Sequence, residues 1–458
     1  MKETKKKQAG WQLPSQLWGR GWGKGSLYLR QALHMMKEEK LFSGIYIAGT
    51  ALAIAFTMVI AVVYYAKLAD IEPEVNRSRT VYVTMRANLR EEFMYLSREY
   101  GGNYKDNTFS DTLIREWFYK MPCAELAGCL TRMEDMGARK LYLRMEDGKK
   151  ILPVAMRSVD ANFFKIYHHK FVYGRPFTDA EGLLTGEGSA PDVSIAIISL
   201  DVAEKLFGKG VNPVGKILNY YDSASLRIVG VIEPTSSIAS ESYGQLFLPC
   251  EYGGSKRMVV VLKEGCTIDD VRNFLEGKVH RLNMSDKEWE YHLQVCSHAQ
   301  LMMSRGRDLS SWKDIFLALL PKVFVLLLVP ALNLSGLVAA RMKRRLPEMG
   351  VRKAFGAHRR ELLGQIIVEN MVLTLCGGLV GLVITWLLLY VFRSWVFFAI
   401  GNIPGQTIEP LVQGEMLLSP LIFLIAFLIC AVVNLMATLV PAWLSLRNPI
   451  VESMNQKK

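Results

Sequence analysis

Four uncharged apolar runs constrain this chain more than any other feature. Leu41 to Ala66 gives 26 positions without a charge, Val323 to Ala340 gives 18, Asn370 to Phe392 gives 23 and Met416 to Leu446 gives 31. A helix needs roughly 20 apolar residues to cross the hydrocarbon core. Buried helices of soluble proteins are seldom so long and so free of charge. The expected fold class is therefore an α-helical membrane protein with four transmembrane helices. A large extracytoplasmic α/β domain of two lobes should lie between the first and second spans.

Charge sets the expected orientation. The 458 residues carry 55 Lys+Arg against 43 Asp+Glu, a formal +12. That excess would suit a nucleic-acid binder if it lay on a folded domain. It does not: residues 1–40 hold nine basic residues and three acids, and Arg341–Gln365 holds eight and two. The long segment Lys67–Asp314 holds 33 basic residues and 34 acids and is close to neutral. Short basic segments stay in the cytoplasm. The excess thus orients the chain and grips anionic headgroups of the lipid bilayer; no nucleic acid is expected as a partner.

The expected organisation follows. Residues 1–40 form a basic cytoplasmic N-terminus with an amphipathic entry helix. The first span, 41–66, is an uncleaved anchor, too long for a signal-peptide core. The extracytoplasmic domain covers 67–314, its last part (Asp286–Trp312) read as a helical stalk. The second span is 315–340, a cytoplasmic connection 341–365, the third span 366–392, a short outer loop 393–415, the fourth span 416–446 and a cytoplasmic tail 447–458.

Inside the domain, β-branched and alternating runs predict strands at Thr80–Arg86, Val193–Ser199, Leu226–Ile232 and Met258–Leu262. Lys140–Met145 and Lys150–Arg157 read as a hairpin across Asp147-Gly148. Asp160–Tyr167 reads as a helical turn with Phe163, Phe164 and Tyr167 on its apolar face. Asp201–Phe207 is a short helix closed by Gly208. Thr267 with Asp270 three residues on is a capping-box pair opening a helix to Leu282. Five cysteines fall outside the membrane, Cys123, Cys129, Cys250, Cys266 and Cys296. An odd count is no complete disulfide framework; a Cys123–Cys129 pair and free buried thiols both stay open.

The spans contain few polar residues. Lys322 sits about one turn inside and can snorkel. Glu369 is placed to pair with Arg359 or Arg360. Asn333, beside the kink-forming Pro330, is placed to hydrogen-bond across the bundle. Gly377 and Gly381 form G-x-x-x-G, the spacing that lets two helix backbones approach.

The connection RMKRRLPEMGVRKAFGAHRRELLGQ carries the sharpest local signal. Pro347 and Glu348 suit a first helical turn. Val351, Ala354 and Phe355 share one face, and Gly356 is placed as a stop. The segment reads as a short helix with one small apolar face and a basic flank. Such a helix either rests on headgroups or docks a soluble partner.

PEMGVRKAFGAHRRELLGQIIVEN resembles the cytoplasmic segment of MacB/FtsX-type ABC-transporter permeases, where E-(I/M)-G-(I/V)-R-K-A-(L/F)-G-A precedes the third span. LRQALHMMKEEKLFSGIYIAG (Leu29–Gly49) resembles that family's entry helix and first span. VDANFFKIYHHKFVYGRPF (Val159–Phe177) is similar to the FF…G-R-P-F signature of the MacB-like periplasmic core. Ile198–Lys216 with Arg227–Val231, and PAWLSLRNPIVESM (Pro441–Met454), resemble further family runs, in the order of the derived topology.

The resemblance implies a permease subunit in a bacterial cytoplasmic (inner) membrane, paired with an identical or related second permease subunit. It implies two cytoplasmic ABC ATPase subunits beneath them. Glu348, Met349, Gly350, Val351, Arg352, Lys353, Ala354, Phe355, Gly356 and Ala357 would be the coupling helix. Arg352 and Lys353 would pair with acids on the ATPase, and Phe355 would fill an apolar pocket. The chain would move an external domain by mechanotransmission, exporting or extruding a hydrophobic or amphipathic substrate. A membrane-fusion protein or a cell-wall hydrolase is a possible external partner. The alternatives within the family are an FtsX-like regulator of such a hydrolase and a lipoprotein-release permease resembling LolC/LolE. A ligand sensor is the reading from another class, and no cytoplasmic piece is large enough for its signalling domain.

No G-x-x-x-x-G-K-[ST] phosphate loop occurs; Gly19–Gly25 (GRGWGKG) lacks its spacing. The chain departs here from MacB, whose ATPase is fused at the N-terminus, since 40 residues cannot hold one. A non-enzymatic subunit is expected, without cofactor or metal: His168-His169 has no ligand neighbours in sequence, and Cys296-x-His298 has no zinc spacing.

Overall fold

The computed structural model describes residues 21–100, 102–106, 109–131, 141–145, 151–182, 193–220, 224–236, 241–250, 256–303, 349–352, 354–401 and 420–447, with a few positions between 313 and 345. They fall into two units. A helical unit is drawn from Met1–Ala61, Leu320–Tyr390 and Ser419–Lys458, and a sheet unit from Val62–Leu319 and Val391–Leu418.

The helical unit holds an entry helix, Gly21–Glu38, separated by one residue from the first-span helix, Lys40–Leu68. The entry helix takes in the GRGWGKG stretch from Gly21 on. A long helix, Arg359–Gly401, departs from helical dihedrals at Phe392, and a 28-residue apolar helix covers Pro420–Arg447. Among the described residues, Lys40–Leu68 and Arg360–Phe392 are long and apolar enough to cross a membrane. The expected second span lies almost wholly outside the described residues, as do Lys322, Asn333, the outer loop from 402 and the tail from 448.

Small residues set the helix contacts. A Cβ on Gly377 would stand 2.8 Å from the Thr50 Cβ, and one on Gly381 2.8 Å from the Ala51 carbonyl oxygen. Gly377 and Gly381 therefore lie on the first-span helix at backbone distance. Gly378, between them, faces the other neighbour: its Cβ would meet the Phe427 ring at 2.5 Å. Ile54, Met58 and Cys430 pack with Phe423 and Phe427 where the helices meet. Phe56, Leu379, Val383 and Leu428 remain exposed, as suits side chains that face lipid.

Among the described residues, the sheet unit contains thirteen strands. They are β1 (Thr80–Leu89), β2 (Tyr104–Asp106), β3 (Ala124–Thr131), β4 (Leu141–Met145), β5 (Ile151–Val154), β6 (Met156–Val159) and β7 (Phe171–Gly174), then β8 (Val193–Ser199), β9 (Ile217–Tyr220), β10 (Ala224–Ile232), β11 (Leu246–Pro249), β12 (Lys256–Leu262) and β13 (Trp289–Ser297). The order across the sheet is β13-β1-β12-β3-β6-β11-β8-β10-β9-β4-β5, with β2 on β1 and β7 on β10. The expected two lobes share this one sheet. One half packs Met85, Trp117, Phe118 and Val260 against the helix Ile268–Ser285. The other packs Ile198, Leu226 and Leu246 against the helix Leu200–Phe207. An aromatic cluster of Tyr82, Phe163, Phe164, Tyr167 and Phe247 joins them.

Local chemistry explains the element ends. Thr267 Oγ1 accepts from the Asp270 amide, and Asp270 Oδ2 accepts from the Thr267 amide at 2.7 Å, so both orphan donors of that helix start are met. Gly208 ends its helix at φ +97°, where a Cβ would strain the backbone. β4 and β5 pair antiparallel from Leu141↔Val154 to Arg144↔Ile151; their Asp147-Gly148 turn lies outside the described residues.

One expectation is overturned. Trp289–Ser297, read as stalk helix, is the edge strand β13, antiparallel to β1 from Leu89↔Trp289 to Val81↔Ser297. Its sequence WEYHLQVCS has period two: Tyr291, Leu293 and Val295 turn to the core while Glu290, His292 and Gln294 alternate with them. Among the described residues there, His298–Met303 is helical.

Candidate functional site

The expected docking segment lies in the helical unit. Met349, Gly350, Val351, Arg352 and Ala354 are helical, with Phe355 and Gly356 in the turn that ends the helix; Glu348 and Lys353 lie outside the described residues. Gly356 has φ +90°, and the Ala357 amide donates to the Arg352 carbonyl at 3.0 Å. This six-to-one bond across a left-handed glycine is the Schellman stop.

One side of the helix is moored. Met349 is buried with Tyr46, Leu362, Ile366 and Leu373. Arg352 Nη1 donates to Gln365 Oε1 at 2.7 Å, and Gln365 Nε2 to Glu369 Oε1 at 2.9 Å. Arg345 Nη1 reaches Glu369 Oε2 at 2.8 Å, with the Glu369 side chain only 2% exposed. Among the described residues, the cation on Glu369 is Arg345, where Arg359 or Arg360 was expected. Within its own chain Arg352 bonds to Gln365. The opposite side is bare: Val351 is 45% exposed and Phe355 89%.

A second constellation lies in the sheet unit, where residues 62–68 end the first-span helix. The last carbonyls of a helix have no partner within it. Arg77 Nη1 donates to the carbonyls of Ala66 at 2.8 Å and Ala69 at 2.7 Å. Its Nε donates to Glu74 Oε2 at 2.7 Å, both side chains being 1% exposed. Glu74 Oε1 accepts from the Ser242 amide at 2.9 Å. His298 Nε2 lies 2.9 Å from the Lys67 carbonyl. That oxygen only accepts, so Nε2 carries the proton. His298 Nδ1 then accepts from the Tyr82 hydroxyl, and the Tyr82 oxygen accepts from Tyr167, each at 3.2 Å. Behind them Glu241 and Arg257 form a buried pair at 2.9 Å.

The electrostatics match the bonding. Burial pushes the Glu74 carboxyl up, but Arg77, His298 and the Ser242 amide together outweigh it and hold it at about 2. Burial pushes His298 down from its ordinary value, against the pull of Glu74, so its ring is neutral near pH 7. Helix end and sheet are therefore joined by charged hydrogen bonds in a site closed to water.

Sequence reasoning missed this joint. Glu74 and Arg77 stand in a polar flank (EPEVNRSR) like many others, and His298 is visible only as part of a non-zinc pattern. Among the described residues, no group of three His, Cys, Asp or Glu side chains gathers as a metal site.

Two family models match the chain. The MacB-like periplasmic core domain covers residues 43–277, and the FtsX-like permease C-terminal domain residues 323–450. The pyoverdine export ATP-binding/permease protein PvdT of Pseudomonas entomophila is 26% identical over 234 residues, 49% of this chain and 34% of that protein. The uncharacterized ABC transporter permease YknZ of Bacillus subtilis is 25% identical over 233 residues, 50% of this chain and 55% of that protein. The crystal structure of the extracellular domain of noncanonic ABC-type transporter YknZ from Gram-positive bacteria matches at 16% identity and TM-score 0.31, over 46% of this chain and 99% of that domain. The match thus spans about a third to a half of the curated relatives.

Proposed function

This chain belongs to the MacB/FtsX-type ABC-transporter permeases, and on that premise we propose that it transmits the work of a separate cytoplasmic ATPase to its extracytoplasmic domain. The helix ending at Phe355 is the docking element. Its basic surroundings keep it in the cytoplasm, with both termini on that side. The ATPase receives Phe355 in an apolar pocket while Met349 and the Arg352–Gln365–Glu369–Arg345 chain hold the helix to the membrane helices. The joint of Glu74, Arg77 and His298 then receives movement at the far end of the first-span helix. An exported hydrophobic or amphipathic substrate fits this cycle, in line with the exporter among the relatives. A second permease subunit completes the unit.

The observation that carries the reading is Phe355: a large aromatic, 89% exposed, on a helix whose other side is fixed. An exposed side chain of that size is free for a partner and contributes little to the fold. Phe355→Asp should leave the chain as abundant and as heat-stable as before. Recovery of the ATPase with the tagged chain should fall at least tenfold, as for a hot-spot aromatic worth about 2 kcal/mol or more. Equal ATPase recovery with both chains would sink the docking role.

A further inference from the structure

The Sγ atoms of Cys129 and Cys250 stand 3.1 Å apart, and both residues are buried, at 1% and 0% exposure. The topology brings them together. β6 pairs through Val159 with Leu130 of β3 on one side and with Pro249 of β11 on the other. The chain leaves the sheet at Asp160, whose amide still donates to the Cys129 carbonyl at 3.1 Å, and enters the helix Phe163–Ile166. Next to these partners stand Cys129 of β3 and Cys250, the first residue past β11, and their side chains close the gap beyond the end of β6. A formed disulfide has an S–S separation of ~2.05 Å, so about 1 Å remains to be closed. Cys123, six residues from Cys129 in sequence, is not the residue that meets it.

We propose that Cys129 and Cys250 are an oxidative modification site, joined as a disulfide when the domain folds in an oxidising extracytoplasmic compartment. The proposal rests on the extracytoplasmic placement of the domain given above. The oxidant is a protein or small-molecule disulfide. The thiolate of one cysteine attacks it, forming a mixed disulfide and releasing one oxidant thiol. The second cysteine attacks the mixed disulfide, forming the Cys129–Cys250 bond and releasing the other. The two thiol protons and the electron pair end on the oxidant, which leaves as two thiols. Contact with Cys250, and burial with it, raise the Cys129 thiol well above its ordinary range. The Cys129 thiolate is therefore scarce in the folded state, and attack by Cys129 belongs to the folding stage. The bond ties β3, in one half of the sheet, to β11, in the other, across 121 positions of sequence.

The test counts thiols in the full chain, purified from membranes, acid-quenched, denatured and tagged with a polyethylene-glycol maleimide. Seven cysteines are present; the expected result is five tags before reduction and seven after. Cys250→Ser should give six tags in both states. Seven tags before reduction overturn the proposal, and four before with six after in Cys250→Ser place the bond elsewhere and overturn it too. Met284→Cys, at a site 77% exposed, reports the compartment separately through a membrane-impermeant maleimide on intact cells. Labelling there, with seven free thiols before reduction in the parent chain, overturns the pair alone. No labelling there overturns the external placement and the proposal with it.

Discussion

Arg77→Met is the substitution that asks most of the joint at the end of the first-span helix. The methionine keeps part of the arginine's length but removes three charged hydrogen bonds: two to the Ala66 and Ala69 carbonyls and one to Glu74. It also leaves Glu74, 1% exposed, as a buried carboxylate with its cation gone. Breaking a buried pair by removing one partner costs about 3–5 kcal/mol. The local opening free energy at the joint should fall by that amount. Hydrogen exchange reads it directly, since each 1.4 kcal/mol is tenfold in protection. The Ser242 amide, which donates to Glu74, and the Ala69 amide, which donates to the Tyr65 carbonyl at 2.9 Å, are the reporters. Both should exchange roughly two to three and a half orders of magnitude faster.

The double variant Glu74→Gln with Arg77→Met supplies the control. It removes both charges, so the loss shrinks to the unmet helix carbonyls, about 1–3 kcal/mol. The double should therefore be more protected than Arg77→Met alone. Protection at Ser242 and Ala69 within threefold of the parent chain would refute the joint. So would a double variant worse than the single one, because the penalty would then not come from an unpaired charge.

Two further outcomes follow from the packing and the buried acids. Gly381→Val drives a side chain into the Ala51 carbonyl and Ile54; it should cost about 1–3 kcal/mol and lower the melting temperature of the full chain in detergent, while Gly364→Ala, whose nearest neighbour is 4.0 Å away, should not. Asp160 is buried, and burial raises its carboxyl to about 7 even though the Tyr119 hydroxyl donates to it at 2.6 Å. The folded chain then holds a proton that the unfolded chain releases near pH 4. Stability from this group is full below pH 4 and is lost as pH rises towards and through 7. Melting curves should show that fall between about pH 4 and 7 in the parent chain and a smaller one in Asp160→Asn; equal slopes would exclude Asp160 as its source.

What the sequence reveals and what it hides divide along the range of the interactions. VSIAIIS announces β8 by composition, and Thr267 with Asp270 announces a helix start because both bonds of the capping box close within four residues. β13 was legible too, in the alternation of Trp289, Tyr291, Leu293 and Val295, but its aromatics beside a membrane span suggested a helix instead. The order of the sheet was not legible. β12 sits between β1 and β3 by pairing Thr80 with Val261, and no local pattern encodes a contact across that distance. Arg77 is the extreme case. Its charge looks ordinary for a loop, and only the fold reveals that it is buried against the end of a helix.

The two candidate sites have opposite chemistry, and the opposition bears on what each can do. A surface proposed to meet a partner reversibly has to be uncovered in the free chain and dispensable to the fold; Phe355 is 89% exposed, on a helix moored through Met349 and Arg352. A joint that carries movement must not open under load, so its bonds should be short, charged and shut away from water; Glu74, Arg77 and His298 meet that description. Substitution should therefore separate them by phenotype. Phe355→Asp would cost partner binding and leave stability intact. Arg77→Met would cost local stability at the far end of the first-span helix while the proposed ATPase partner still binds. If Arg77→Met also released the ATPase, the division of labour between the two sites would be wrong, and the joint would be acting on the fold as a whole.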